Sequence, residues 1–299
     1  MKKIIKTKEI PVSIYVIKKM LVFIVLYVLA NVLQQILLTG LFVLAGYDPM
    51  QGDLPAEHIQ VLALYYGFAV YILLVCLYCK YVEKRLFSSM GFNKRIADYI
   101  FGVGIAVALL FVIIGCSIVL KGITFEKINE HVDCLYLFAL LGGFMVQGAA
   151  EEIMCRGFLM TSLMKKVSAP AAIFLSATAF AFPHFLTLFS SDVVYAVIGI
   201  INLYLISIIF SLLMIKRKNI WVSCGLHSLW NFWLNGVMGL QVSGKEAGIN
   251  GIICFNVEKA SLINGGAYGM ESSVVTMLVL GIVVVSLCII GEEKNHGIQ

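Results

Sequence analysis

An all-α membrane protein that crosses the bilayer several times is the fold class the sequence predicts, and three observations predict it. The 299 residues are 61% hydrophobic and only 13% charged, whereas ordinary soluble domains carry about a quarter charged residues. Mean hydropathy is +0.96, too apolar for the polar side chains to cover a water-exposed surface. The apolar residues fall into runs long enough to cross a hydrocarbon core of about 30 Å. These features exclude a disordered chain, a collagen, a disulfide scaffold and a nucleic-acid binder. With 26 Gly and 5 Pro and no linker-like stretch, residues 1–299 read as one transmembrane domain.

The runs lie at 20–47, 58–82, 100–121, 134–164, 169–190, 193–215, 219–240 and 272–291, which predicts about eight spans. The first is long and contains Asn31, Gln34 and Gln35, so it should tilt or project beyond the bilayer. It is too long for a signal-peptide core. If the spans alternate, seventeen of the 22 Lys and Arg fall on one side and four, Lys121, Lys127, Lys245 and Lys259, on the other; Arg156 lies within a span. Lys and Arg concentrate in untranslocated connections, so a cell-membrane protein with both termini cytoplasmic is expected. Six of the eight cysteines lie inside predicted spans, unlike a disulfide framework. Cys76 and Cys79 form a C-x-x-C with no second ligand pair, and a zinc site of that type needs one.

An ionisable residue inside a span costs several kcal/mol, so each one is a functional hypothesis. Three segments hold them: Gln147 to Gly157, with Glu151, Glu152 and Arg156; Phe180 to His184; and His227 to Asn231. At about 100° per residue, Glu152 and Arg156 lie within about 40° of each other and can pair, Glu first in the favourable order. Glu151 points about 140° away from Arg156 and is left as the better catalytic carboxylate. The bland reading is a buried structural cluster of all three charges. His227 and Asn231, four apart, address one small volume, though a histidine and two tryptophans, Trp230 and Trp233, on an apolar helix are commonly packing residues.

At about 1.5 Å per residue, Glu151 lies about 21 Å from Lys165, His184 about 21 Å from Pro170 and Asn231 about 20 Å from Lys218. Three helices therefore bring polar groups to one depth. A carboxylate, two imidazoles and an amide suit water activation and oxyanion stabilisation. Glu151 would take a proton from a water held by His184, with His227 and Asn231 donating to the developing oxyanion. No cofactor is needed in this version. A zinc version uses His184, His227 and Glu151 as ligands, but no H-E-x-x-H is present.

The ordered set Glu151-Glu152-x-x-x-Arg156, Phe180-x-x-x-His184 and His227-x-x-x-Asn231, each on its own apolar helix, resembles the CPBP family of intramembrane proteases. That group includes the type II CAAX prenyl endopeptidases and the bacterial Abi-type, bacteriocin-processing or self-immunity proteins. The likeness covers roughly 134–240, which is taken as the catalytic core; residues 1–100 and 241–299 match no motif. It implies an α-helical endopeptidase acting in the bilayer on a peptide or prenylated protein. The residues matching Glu151 and His184 would activate water and those matching His227 and Asn231 would form the oxyanion hole. Glu152, Arg156 and Phe180 would support them. The rival readings are a cysteine protease using Cys155, on the face of Glu151, a non-enzymatic membrane immunity or binding protein, and a transporter with a proton-relay carboxylate.

Overall fold

The computed structural model describes residues 10–189, 192–241, 251–257 and 259–296. Each predicted apolar run contains at least one helix. α1 spans Val12–Leu44, α2 Glu57–Gly67, α3 Ala69–Leu77 and α4 Ala97–Val119; α5, Cys134–Glu152, continues through a π-helical stretch, Ile153–Met160, into α6, Thr161–Leu163. α7 is Ala169–Ala181, α8 Phe185–Phe189, α9 Val193–Arg217, α10 Trp221–Phe232 and α11 Val274–His296. Among the described residues five helical stretches are long and apolar enough to cross a membrane, beginning at Val12, Glu57, Ala97, Cys134 and Val193. Ala169–His184 and Val274–Ile289 are apolar but shorter. The chain is thus an all-α, multi-pass membrane protein.

The structure corrects two boundaries and adds a strand pair. α1 starts eight residues before the expected 20, so Lys19 is a buried helix residue whose Nζ lies 2.5 Å from Glu83 Oε1, not a loop charge. The expected fifth span, 169–190, breaks after Ala181 into a 3₁₀ turn, Phe182–His184. Pro183 lacks the N–H that a continuing helix would use. Short strands β1, Thr124–Ile128, and β2, Ile253–Asn256, pair antiparallel with a bulge between Phe125 and Lys127, joining two connections that sequence reasoning left without regular structure. Lys2, Lys3, Lys6, Lys8 and Lys245 of the charge count lie outside the described residues.

Helix packing, not hydropathy, brings the motifs together. Apolar side chains gain little by leaving lipid for protein, so association relies on close backbone approach at small residues. A Cβ on Gly102 of α4 would lie 2.0 Å from the carbonyl oxygen of Val222, and one on Gly225 of α10 2.0 Å from that of Tyr99. On α5, a Cβ on Gly148 would meet Ser228 Oγ at 2.9 Å. α10, the carrier of His227 and Asn231, is therefore pressed against α4 on one side and α5 on the other.

At the Lys-rich end, Arg85 donates to Ser162 Oγ at 2.7 Å and Thr161 Oγ1 at 2.6 Å, tying the connection after α3 to α6. Asp98 at the start of α4 accepts from Arg217 and, at 2.7 Å, from Asn219 Nδ2. These contacts fix the ends of α5, α9 and α10, and hence the depth at which their polar residues sit.

Candidate active site

Glu152 and Arg156 are both 0% exposed by side chain and pair at 2.8 Å. The pairing expected from an α-helix survives in the π-helical stretch, where one turn is wider. The guanidinium also donates to Ser207 Oγ, and to the Ser207 carbonyl at 3.2 Å. It lies between two rings, 4.6 Å from the centroid of Phe180 and 5.0 Å from that of Phe210, a cation–π arrangement that is strongest where water is excluded. Phe180 thus packs against the charge pair, and its ring lies 5.5 Å from that of His184 and 5.8 Å from that of His227.

Glu152 has a second partner. His227 Nδ1 lies 3.0 Å from Glu152 Oε1, and its ring stacks on Phe210 with centroids 5.0 Å apart. A carboxylate at Nδ1 holds the proton on that nitrogen and turns Nε2 outward. Nε2 lies 3.7 Å from Glu151 Oε2. The result is an alternating row, Arg156, Glu152, His227, Glu151, in which each charge is flanked by its opposite when the imidazole is protonated. Sequence reasoning assigned Glu152 to Arg156 alone; the three-dimensional packing makes it the hinge of the row.

Glu151 is the most accessible member, with its side chain 21% exposed. The expectation that it has no structural partner needs correcting, because Gln147 Nε2 donates to its Oε1 at 2.6 Å. Gln147 Oε1 in turn accepts from Asn231 Nδ2 at 3.0 Å. One amide thus bridges the carboxylate on α5 and the amide on α10. Oε2 of Glu151 is buried and has no hydrogen-bond partner among the described residues.

Glu151, His184, His227 and Asn231 line one cavity of about 340 Å³, so the three helices do bring their polar groups to one place. Cys155 lines it too. Glu271, in the connection just before α11, also reaches the cavity, where it accepts from Trp230 Nε1 at 3.2 Å. Among the described residues no three His, Cys, Asp or Glu side chains come together as a metal-holding group. Glu152 holds Nδ1 of His227, which leaves Nε2, 3.7 Å from Glu151 Oε2, as the ring nitrogen open to another partner.

Gln147, Ser207, Phe210 and Glu271 were not singled out by sequence reasoning. Gln147 offered a signal, a polar amide four residues before Glu151 on its face of the helix. Phe210 and Ser207 offered none, being ordinary members of an apolar run.

A row of ionisable groups around a cavity in a bundle of apolar helices defines a multi-pass membrane protein with a polar site among its helices. Residues 133–233, about a third of the chain, match the family model described as Rce1-like, type II CAAX prenyl endopeptidase. This segment, which overlaps the expected core 134–240, is similar to that protease family. No curated protein matches the chain.

Proposed function

We propose that the chain is an intramembrane endopeptidase that hydrolyses a peptide bond of a membrane-associated peptide or protein, prenylated or not, with water activated by Glu151 and His184. The observation that carries this reading is the single cavity lined by Glu151, His184, His227 and Asn231, on a segment similar to a protease family. The Glu151 carboxylate takes a proton from a water oriented by His184, and the hydroxide oxygen adds to the scissile carbonyl carbon. The tetrahedral oxyanion accepts from the Asn231 N–H that is not given to Gln147 and from Nε2–H of His227 in its imidazolium form. When the C–N bond breaks, Glu151 returns its proton to the leaving amine. Gln147 holds the base and the oxyanion donor in register.

The cysteine alternative gains nothing from this arrangement, since His227 is directed at the two glutamates and not at the Cys155 thiol. No step is routed through zinc. The reading is tested by comparing protein termini in membranes holding the wild type with those holding Glu151→Ala. New termini present only with the wild type are expected, and their absence would leave the binding or immunity reading in place.

Orientation belongs to the same proposal. The Lys and Arg count puts both termini in the cytoplasm in this reading, with the Lys-rich ends of α6 and α9 on that side. Reporter fusions after residue 291 should report a cytoplasmic C-terminus. An external reporter signal would reverse the placement of the site relative to the Lys-rich face.

A further inference from the structure

The amides of α1 take no part in the chemistry above, yet they cost free energy in a bilayer helix. Gln34 has a structural use: it is buried, and its Nε2 donates to the carbonyl of Leu64 at 2.7 Å, holding α1 to α2. Asn31 and Gln35 differ. All three line the cavity that contains Glu151 and His184, but neither Asn31 nor Gln35 is tied to another helix by a hydrogen bond among the described residues. Asn31 donates to the Tyr27 carbonyl at 3.0 Å and to the Tyr27 phenol, which leaves its Oδ1 as an acceptor. The exposed Gln35 side chain makes no hydrogen bond among the described residues. With Phe23 and Tyr27, also cavity residues, they form a stripe at spacing four along one face of α1.

We propose that Asn31 and Gln35 form a subsite that binds the backbone of the substrate as an extended segment laid along α1, opposite the catalytic carboxylate. This rests on the protease reading. A peptide presented for cleavage exposes backbone N–H and C=O groups, and in hydrocarbon each must find a partner. A carboxamide supplies both donor and acceptor. Two amides four residues apart on a helix are separated by about 6 Å along its axis. Alternate residues of an extended chain repeat at about 6.7 Å, so the pair can address residues n and n+2 of one strand. Phe23 and Tyr27 then meet the side chains that follow. α1 lies outside the matched segment 133–233, so this subsite would be a feature of this chain's own flank.

The test uses the full-length protein in membranes, with termini that depend on Glu151 as the readout. Asn31→Leu/Gln35→Leu should lower those termini at least tenfold, while Asn31→Gln, which keeps the amide, retains most of them. Leucine suits a bilayer helix, so folded yield and melting temperature should match the wild type; Gln35→Leu alone, at an exposed site, serves as the folding-neutral variant and should show a partial loss. Termini from the double variant within twofold of wild type would overturn the subsite and leave the protease reading intact. If no termini depend on Glu151 in the wild type, the protease reading itself fails, which the Glu151→Ala comparison reveals before the α1 variants are made.

Discussion

Glu151→Gln is expected to abolish hydrolysis while folded protein accumulates as in the wild type, and Glu152→Gln is expected to fail first in folding. The substitutions are chemically identical and the residues adjacent, so the difference comes from the surroundings. At 151 the amide still accepts from Gln147 Nε2, and the partly exposed side chain loses only the charge that makes it a base. At 152 an amide oxygen can still accept, but the change removes the negative charge that balances Arg156, wholly buried at 2.8 Å, and that faces His227 Nδ1 at 3.0 Å. Breaking a buried ion pair by removing one partner costs about 3–5 kcal/mol, a large share of the roughly 5–15 kcal/mol by which a typical fold is stable. Detergent-solubilised yield, thermal melting and activity of both variants decide the matter. A stable Glu152→Gln beside an unfolded Glu151→Gln would mean that the two roles are reversed.

Asn231→Ala should lower turnover by about 10² to 10³, the typical worth of one oxyanion donor, with kcat and kcat/KM falling together and substrate binding nearly unchanged. Gln147→Leu should reproduce part of that loss, because it frees both the Asn231 amide and the Glu151 carboxylate from their shared partner. A pocket that merely holds a partner would tolerate both changes. The same preparations distinguish metal-free chemistry from the zinc version. Activity should survive a chelator that strips a control metalloprotease, and zinc in the purified protein should be well below one per chain. Stoichiometric zinc, lost in His184→Ala and needed to restore chelated enzyme, would end the glutamate-activated water mechanism.

How much of this was legible beforehand depends on what each feature is made of. The apolar runs predict the helices because a bilayer helix must satisfy its backbone internally and present apolar side chains over its whole length. The Glu152–Arg156 pair and the shared face of His227 and Asn231 follow from helix periodicity alone, and both are found. The common depth of the three motifs could be estimated by counting residues to the Lys-rich ends, and the cavity contains a member of each.

Contacts across helices followed other rules. Between Val193 and Arg217 every face of α9 reads as equally apolar, since lipid and protein interior demand the same side chains. Nothing in the pattern marks the face where Ser207 and Phe210 meet Arg156 and His227. The bridge from Glu151 through Gln147 to Asn231 exists because Gly148 admits α10 so closely to α5. Glu271 reaches the cavity because its connection packs down onto α9, where Asn202 Nδ2 donates to the Glu271 carbonyl at 2.9 Å. The break at Pro183 set His184 at the end of a short helix, not in the middle of a span. Local periodicity and composition decide which residues form helices and which polar groups share a face, whereas the pairing of groups on different helices is decided by where small residues let backbones approach.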